Sequence, residues 1–387
     1  MSTNNIRQRV LIAHQSTIPH YRIPFYQTLE RLRPENWCFD VVFDLGELKN
    51  PQFFSEPIDI EDFNFPLLTV DTHTFQFGGK KINYQTFWRD ASSYDLLIVG
   101  NSINNLTYPF SQIYQLFGKK HAIWGHGWDH AADQGQLSLQ KKLSKNLKLQ
   151  LARRADGFFA YTPRVKQYLE DGGLPASRIF VLNNTIDITE QRRLFEQWQS
   201  QRASIRQQFG LEDERTLLFV GRFTPNKRID FLLEAFSILR KQNPTYQLLL
   251  VGSGGDIYNF DSSPGITYLG PIVEPNQLAR VYVAGDLFAF PGSVGLGPLQ
   301  ALCYDVPVVT IDSNVHMPEI EYLNEGNSII LPPGTTAEMY AQTIRDLFDH
   351  AQKLHDLQDS IWPSIEHLTI EQMALNFIHG INTILAA

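Results

Sequence analysis

Residues 215–255, RTLLFVGRFTPNKRIDFLLEAFSILRKQNPTYQLLLVGSGG, decide the fold because they predict a strand, a helix and a second strand in succession. The runs at 215–222 and 246–254 are continuously apolar, which is typical of parallel strands covered on both faces. Between them, one apolar stripe recurs at helical spacing and consists of Ile229, Leu232, Leu233, Phe236 and Leu239. This order predicts the βαβ unit of an α/β domain.

The same alternation continues in both directions along the chain. Before residue 188, strand-like runs lie at 9–14, 37–44, 65–70, 94–100, 121–126, 157–162 and 179–184. After a polar helix near 189–209, they lie at 215–222, 246–254, 266–271, 286–292, 306–312 and 328–334. The two series predict two Rossmann-like, doubly wound α/β domains, 1–188 and 189–365. They are followed by a C-terminal helix that could pack on either domain.

Composition narrows the class of protein. The 387 residues hold Lys+Arg 33 against Asp+Glu 41, a net charge of −8, and 43% are apolar. The acidic balance argues against a nucleic-acid partner, and the apolar fraction argues against disorder. Cys38 and Cys303 are too few for a disulfide framework or a thiolate metal site. The chain shows neither a signal core nor a membrane span, so we expect it in the cytoplasm.

Ligands of open parallel sheets bind beyond the carboxyl ends of strands, so residues at these ends are candidates for a site. Gly221 follows a strand and permits close backbone approach, while Arg222 and Lys227 place two cations at the same strand end. A guanidinium and an ammonium suit a diphosphate. The alternative is a solvated basic turn that includes Arg228.

Two further strand ends in this domain are rich in glycine. Gly252 and Ser253 begin a turn that lacks the G-x-G-x-x-G pattern, so this signal alone is weak. The stretch 290–301, FPGSVGLGPLQA, predicts a strand end, a turn and a helix whose first N–H groups suit an anion. Gln300 is placed to hydrogen-bond a sugar hydroxyl. The alternative is an ordinary glycine-rich connection with a surface glutamine.

The first domain has histidines at comparable positions. His126 lies between glycines at a strand end and could polarise a phosphate or a hydroxyl, or be a structural histidine bonded to a loop carbonyl. His14 follows the first strand, and the loop His20, Tyr21 and Arg22 comes soon after it. We expect an acceptor or a donor phosphate to approach there.

The chain resembles the retaining family 4 glycosyltransferases of the GT-B fold over nearly its whole length. The stretches that carry the resemblance, in the order and spacing of that family, are VGRFTPNKRIDFLLEAFSIL (220–239), LLLVGSGGD (248–256), ITYLGPI (266–272), AGDLFAFPG (284–292) and GLGPLQALCYDVPVVT (295–310). HYRIPFY (20–26) and WGHG (124–127) are similar to bacterial members that build surface polysaccharides.

The resemblance implies two facing Rossmann-like domains. It places the nucleotide-sugar on the second domain, the acceptor on the first, and the C-terminal helix 366–387 against the first. It implies that Arg222 and Lys227 bind the diphosphate and that His126 lies near the transferred sugar. The acceptor side comprises His14, His20, Tyr21 and Arg22. The donor side comprises Gly221, Gly252, Ser253, Pro271, Ile272, Gly292, Val294, Gly295, Leu296 and Gln300.

The chain departs from the family at one motif. The family usually has two glutamates flanking seven residues here. Gln300 stands at the second position, which usually holds the ribose. Gly292, or Val294 in another alignment, stands at the first, which usually contacts the donor sugar. The departure leaves the donor sugar open and makes loss of activity an alternative.

The expected reaction is metal-independent transfer with retention from a UDP- or GDP-sugar to a glycan or lipid-linked acceptor, in polysaccharide or glycoconjugate synthesis. No cofactor is implied. No paired-aspartate motif follows a predicted strand, and positive charge suits the diphosphate leaving group. The alternatives are a non-catalytic nucleotide or glycan binder and an epimerase or phosphorylase on the same plan.

Residues 134–155, QGQLSLQKKLSKNLKLQLARRA, contain no acid and predict a basic amphipathic helix. One interpretation is docking to an anionic membrane, which would place the protein on the inner face of the membrane. The other interpretation, slightly favoured, is a leucine stripe facing the core with a solvated basic face.

Overall fold

A computed structural model of the chain describes residues 7–15, 18–44, 46, 63–77, 79–127, 139–211, 215–258, 260 and 263–387. It divides into two compact units. Unit 1 comprises residues 1–184 and 370–387, and unit 2 comprises 185–369. The boundaries predicted from the sequence, 188 and 366, are each four residues away.

Unit 1 is built on a parallel seven-stranded sheet in the order β3-β2-β1-β6-β7-β8-β9. Its strands are β1 (Gln8–Ala13), β2 (Trp37–Asp44), β3 (Leu67–Val70), β6 (Leu96–Gly100), β7 (Lys120–Gly125), β8 (Gly157–Ala160) and β9 (Ile179–Val181). Its helices are α1 (Ile23–Leu32), α2 (Thr107–Ser111), α3 (Leu139–Arg154), α4 (Pro163–Asp171) and α12 (Ile370–Ala386). The strand order reverses at β1, so the end of β1 lies where ligands of such sheets bind.

The C-terminal helix α12 completes the core of unit 1. Phe377 stacks on Phe159 of β8 at 4.4 Å between ring centroids and meets Trp124 of β7 at 5.0 Å. The Trp37 indole N–H donates to the side-chain oxygen of Asn382 at 2.9 Å. The apolar stripe of this helix is therefore buried against strands that precede it by more than two hundred residues.

A β-hairpin outside this sheet was missed by the sequence analysis. Strands β4 (Thr72–Phe77) and β5 (Lys80–Gln85) pair antiparallel with each other. They read THTFQF and KKINYQ, which mix polar with apolar residues and contain no continuous apolar run. Continuous apolar runs are typical of parallel strands covered on both faces, so these two strands could not be recognised by that pattern.

Unit 2 is built on a parallel six-stranded sheet in the order β12-β11-β10-β13-β14-β15. Its strands are β10 (Thr216–Val220), β11 (Gln247–Val251), β12 (Ile266–Tyr268), β13 (Leu287–Ala289), β14 (Val308–Ile311) and β15 (Ser328–Leu331). Its helices are α5 (Ile188–Trp198), α6 (Arg202–Gln208), α7 (Ile229–Gln242), α8 (Pro275–Ala284), α9 (Leu296–Leu302), α10 (Ala337–Asp349) and α11 (Ala351–Ile365). The prediction of two doubly wound α/β domains with a C-terminal helix is confirmed.

The predicted basic helix is α3, and residues 134–138 of the predicted range lie outside the described residues. The favoured interpretation, a leucine stripe facing the core, is wrong for its middle turns. Leu143 and Leu147 are 60% and 49% exposed, whereas Lys148 is buried. The four-residue leucine spacing predicts a stripe but cannot say which face packs on the sheet. No helix among the described residues has the length and apolar character needed to cross a bilayer.

Candidate functional site

Three strand ends of unit 2 are joined by backbone hydrogen bonds. The N–H of Gly221, just after β10, donates to the carbonyl of Val251 at 2.9 Å, and the N–H of Gly252 donates to the carbonyl of Gly270 at 2.9 Å. The N–H of Phe223 donates to the carbonyl of Ser253 at 2.8 Å. The turns predicted to bind the donor after β10 and β11 are therefore adjacent.

Gly252 is required by this packing. Its φ is +146°, and a Cβ atom there would lie 1.8 Å from the carbonyl oxygen of Gly221. No side chain can be accommodated unless the two turns separate. The glycine thus permits a close backbone approach at the edge of the sheet where a ligand is expected.

The two predicted cations lie close enough to influence each other. Arg222 is exposed, and its charge, after burial as the larger cause, lowers the pKa of Lys227 to about 8. The Lys227 ammonium donates to the carbonyl of Ser293 and lies 4.8 Å from the centroid of the Phe290 ring. The ion pairs described in unit 2 join other residues. The turn therefore presents positive charge without a described carboxylate partner, as an anion site requires.

The loop after β13 is anchored at several points. The Ser293 N–H donates to the carbonyl of Asn226 at 2.8 Å, and its hydroxyl donates to the carbonyl of Val315 at 2.7 Å. A Cβ atom on Gly292 would lie 2.4 Å from the same Asn226 oxygen. This loop is consequently joined through its backbone to the turn 221–228, which carries Arg222 and Lys227 and which we call the cation turn.

His316, which the sequence analysis did not identify, fixes the same loop. Its Nδ1 accepts the N–H of Val294 at 2.9 Å, so its Nε2 carries the proton and donates to the carbonyl of Ile311 at 3.0 Å. The Val294 carbonyl accepts from the N–H of Met317 at 2.9 Å, and the Val294 side chain is buried. Val294 therefore serves as an anchor of the loop.

The remaining residues predicted for the donor side lie at α9 and beyond β12. Gly295 precedes α9, and Leu296 begins it. Gln300 is half-buried on α9 and donates to the side-chain oxygen of Gln191 on α5 at 3.1 Å. Pro271 and Ile272 lie beyond β12, Pro271 exposed and Ile272 half-buried. Gln191 is a further residue that sequence spacing could not reveal.

In unit 1, the predicted histidines gather around two aromatic rings. His14 stacks on Trp124 with ring centroids 4.0 Å apart, and its Nε2 lies 3.1 Å from the Tyr161 hydroxyl. His126 stacks on the other ring, that of Tyr161, at 5.5 Å. Burial, followed by the charges of Arg22 and His126, holds the pKa of His14 well below its ordinary value. His14 is therefore neutral at pH 7.

Arg22 belongs to the same cluster. It is buried, donates to the side-chain oxygen of Asn184 at 2.6 Å, and lies 5.1 Å from the Trp124 ring centroid. The other two residues of its turn, His20 and Tyr21, are exposed. The structure thus brings His14, Arg22 and His126 together and places His20 and Tyr21 on the surface.

A metal site does not emerge from the parts of the chain that the structure describes: they contain no group of three or more His, Cys, Asp or Glu side chains able to hold an ion. Metal independence stays a prediction.

The two units together define the class: the chain has the GT-B fold. The solved structure of Anabaena Alr3699/HepE in complex with UDP matches it with a TM-score of 0.69 at 16% identity, covering 97% of this chain and 99% of that one. A putative UDP-N-acetylglucosamine 2-epimerase from Listeria monocytogenes matches with a TM-score of 0.62 at 15% identity, covering 97% and 96%. At these identities the likeness concerns the fold alone.

A family model matches part of unit 2. Residues 214–350, which include the cation turn and the loop after β13, match the glycosyl transferases group 1 family. D-inositol 3-phosphate glycosyltransferase of Rhodococcus jostii (strain RHA1) is 31% identical over 211 residues, 50% of this chain and 44% of that protein. The chain therefore spans less than half the length of this relative. The predicted resemblance to glycosyltransferases of the GT-B fold is confirmed.

Proposed function

We propose that the protein is a retaining, metal-independent glycosyltransferase that moves a hexosyl group from a nucleotide-sugar to a glycan or lipid-linked acceptor. The observation that carries the proposal is the pair Arg222 and Lys227, two cations on one turn without a described carboxylate partner. The match of residues 214–350 to group 1 glycosyl transferases supports the same reaction.

Positive charge at this turn fits the chemistry of the leaving group. As the bond between the anomeric carbon and the diphosphate breaks, negative charge grows on the phosphate oxygen. Cations already held in place stabilise that charge without reorganising. The acceptor oxygen bonds to the anomeric carbon on the same face, and its proton passes to the departing phosphate oxygen. No protein nucleophile is required in this scheme.

The other residues divide between donor and acceptor. The Gln300 amide, held by Gln191, is suited to a ribose hydroxyl of a UDP- or GDP-sugar. His126 is the histidine that we propose near the transferred sugar. Neutral His14 and the surface residues His20 and Tyr21 face the acceptor.

A second candidate is a non-catalytic binder of a nucleotide or glycan. Gly292 and Val294 both lack a carboxylate where the resembling family usually has a glutamate, and Val294 is turned into the loop. An epimerase is a third candidate because the same fold is found in a putative epimerase. Turnover separates the three: transfer releases nucleoside diphosphate and glycosylates an acceptor, epimerisation changes the sugar, and a binder does neither.

The test is a panel of UDP- and GDP-sugars with glycan and lipid-linked acceptors, in which release of nucleoside diphosphate is measured. We expect one donor to turn over, and Arg222→Ala and Lys227→Ala to lose at least ten-fold in rate. Arg228→Ala is the matched control, since Arg228 lies on the same turn but packs over the Phe231 ring at 4.2 Å. Unchanged turnover in the first two variants would refute the assignment.

We further propose that the protein works in the cytoplasm, at the inner face of the membrane where lipid-linked acceptors are exposed. The basic helix α3 supports this location, because cationic amphipathic helices bind anionic lipid surfaces.

A further inference from the structure

Residues 107–117 of unit 1 carry exposed apolar side chains that no part of the proposed reaction uses. They read TYPFSQIYQLF and fold into α2 followed by a 3-10 helix over Gln112–Phe117. Four side chains of this segment are between 56% and 81% exposed, namely Phe110, Ile113, Leu116 and Phe117. We call these four residues the 110–117 patch. Such a concentration of large apolar side chains marks an interaction surface.

The 110–117 patch lies beside α3. The Gln112 side chain donates to the carbonyl of Leu151 at 2.6 Å, and the Gln115 side chain donates to the carbonyl of Arg154 at 3.0 Å. These bonds hold the two elements side by side in unit 1. Leu143 and Leu147, on the turns of α3 that precede Leu151, are exposed as well.

The charge of this region is opposite to that of the whole chain. Residues 96–155 hold eight Lys and Arg against two acids, Asp129 and Asp133, although the chain is acidic overall. Asp95 and Asp156 lie just outside this range, where they pair with Lys119 and Lys120. With these two acids included, eight cations still face four acids. On α3, Lys142 and Arg154 are exposed and form none of the described ion pairs.

We infer that the 110–117 patch and α3 together form the surface by which the protein inserts into an anionic membrane interface. The patch supplies the apolar side chains that enter the acyl boundary, and α3 supplies the cations that meet the headgroups. A second copy of this chain would bring a like-charged α3 face to the same contact, which disfavours self-association. An anionic lipid surface complements both features.

This inference deepens the proposed membrane location and rests on it, but it does not require glycosyl transfer. The inserting residues that it names lie on α2 and the 3-10 helix that follows, and not on the basic helix α3. Binding can therefore be measured without any donor or acceptor.

The experiment is flotation of the full chain with phosphatidylcholine vesicles, with and without phosphatidylglycerol, at low and high salt. We expect binding to the anionic vesicles only. Leu116→Ser/Phe117→Ser should weaken binding at least ten-fold at both salt concentrations. Lys142→Gln/Arg154→Gln should weaken it about 30-fold at low salt, from about 1 kcal/mol per cation. Leu375→Ser, an exposed leucine on α12, is the matched control and should bind as the unaltered protein does.

Three results would overturn the inference: no binding of the unaltered protein, binding that the Leu116/Phe117 variant retains, or equal loss in the Leu375 control. Self-association that the patch variant abolishes, without vesicle binding, would assign the surface to a second copy instead. A thermal shift with UDP, measured on every variant, reports whether unit 2 still binds nucleotide. Failure of the membrane inference is thus distinguishable from failure of the proposed function.

Discussion

The lowered pKa of Lys227 makes nucleotide binding depend on pH in a range where few groups titrate. Its ordinary pKa of 10.5 falls to about 8 through burial and the charge of Arg222. Only the ammonium form attracts a diphosphate, so affinity is present below pH 8 and is lost as pH rises through it. If the ammonium is required, the dissociation constant increases about ten-fold between pH 7 and pH 9.

Calorimetric titration with UDP and GDP at several pH values measures this change. Lys227→Arg is the control, because arginine stays protonated throughout this range. Its absolute affinity will differ, since a guanidinium does not replace an ammonium geometrically, but its pH dependence should be flat. Affinity that is constant from pH 7 to pH 9 in the unaltered protein would refute the reasoning. So would the same slope in Lys227→Arg.

Three further predictions concern the supports of the site and the stability of the units. His316→Phe removes the acceptor for the N–H of Val294 and should raise KM for the donor more than it lowers kcat, while His316→Asn, whose side-chain oxygen can accept that N–H, should retain more affinity. Gly252→Ala should lower the free energy of unfolding, measured by denaturant titration, by more than about 3 kcal/mol. Gly334→Ala should lower it by only about 1 kcal/mol, because Gly334 has a positive φ but open space around it. Burial lowers the pKa of His121 to about 4, so the unfolded chain takes up a proton that the folded chain does not as pH falls below 6.5. The free energy of unfolding should fall by about 2 kcal/mol less between pH 7 and pH 5 in His121→Gln than in the unaltered protein. Equal losses within each comparison would contradict the corresponding prediction.

The sheets could be predicted because their central strands are buried on both faces and read as continuous apolar runs. The hairpin of β4 and β5 could not, since its strands mix polar with apolar residues and pair with each other rather than with the seven-stranded sheet. The orientation of α3 could not be predicted from the sequence either. Leu143 and Leu147 have the spacing of a core stripe, yet the buried face of the helix carries Lys148 and Ala152.

The candidate site likewise has parts that the sequence predicts and parts that it does not. Arg222 and Lys227 are five positions apart on one turn, so local sequence was enough to bring them together. The bond from Val294 to His316 joins residues 22 positions apart, and it forms because β13 and β14 are neighbours in the sheet. Similarly, Gln191 reaches Gln300 from a different helix. Contacts of this kind follow from strand order and helix placement, which no short motif encodes.

The central claim is that Arg222 and Lys227 hold the diphosphate of a nucleotide-sugar. Its most direct measurement is the dissociation constant of UDP and GDP for the unaltered protein, Arg222→Ala, Lys227→Ala and Arg228→Ala at pH 7 and one salt concentration. Loss of a charged hydrogen bond worth about 1.5–3 kcal/mol predicts roughly 10- to 150-fold weaker binding in the first two variants and little change in the third. Equal affinity in all four proteins, or equal weakening in all three variants, would contradict the claim.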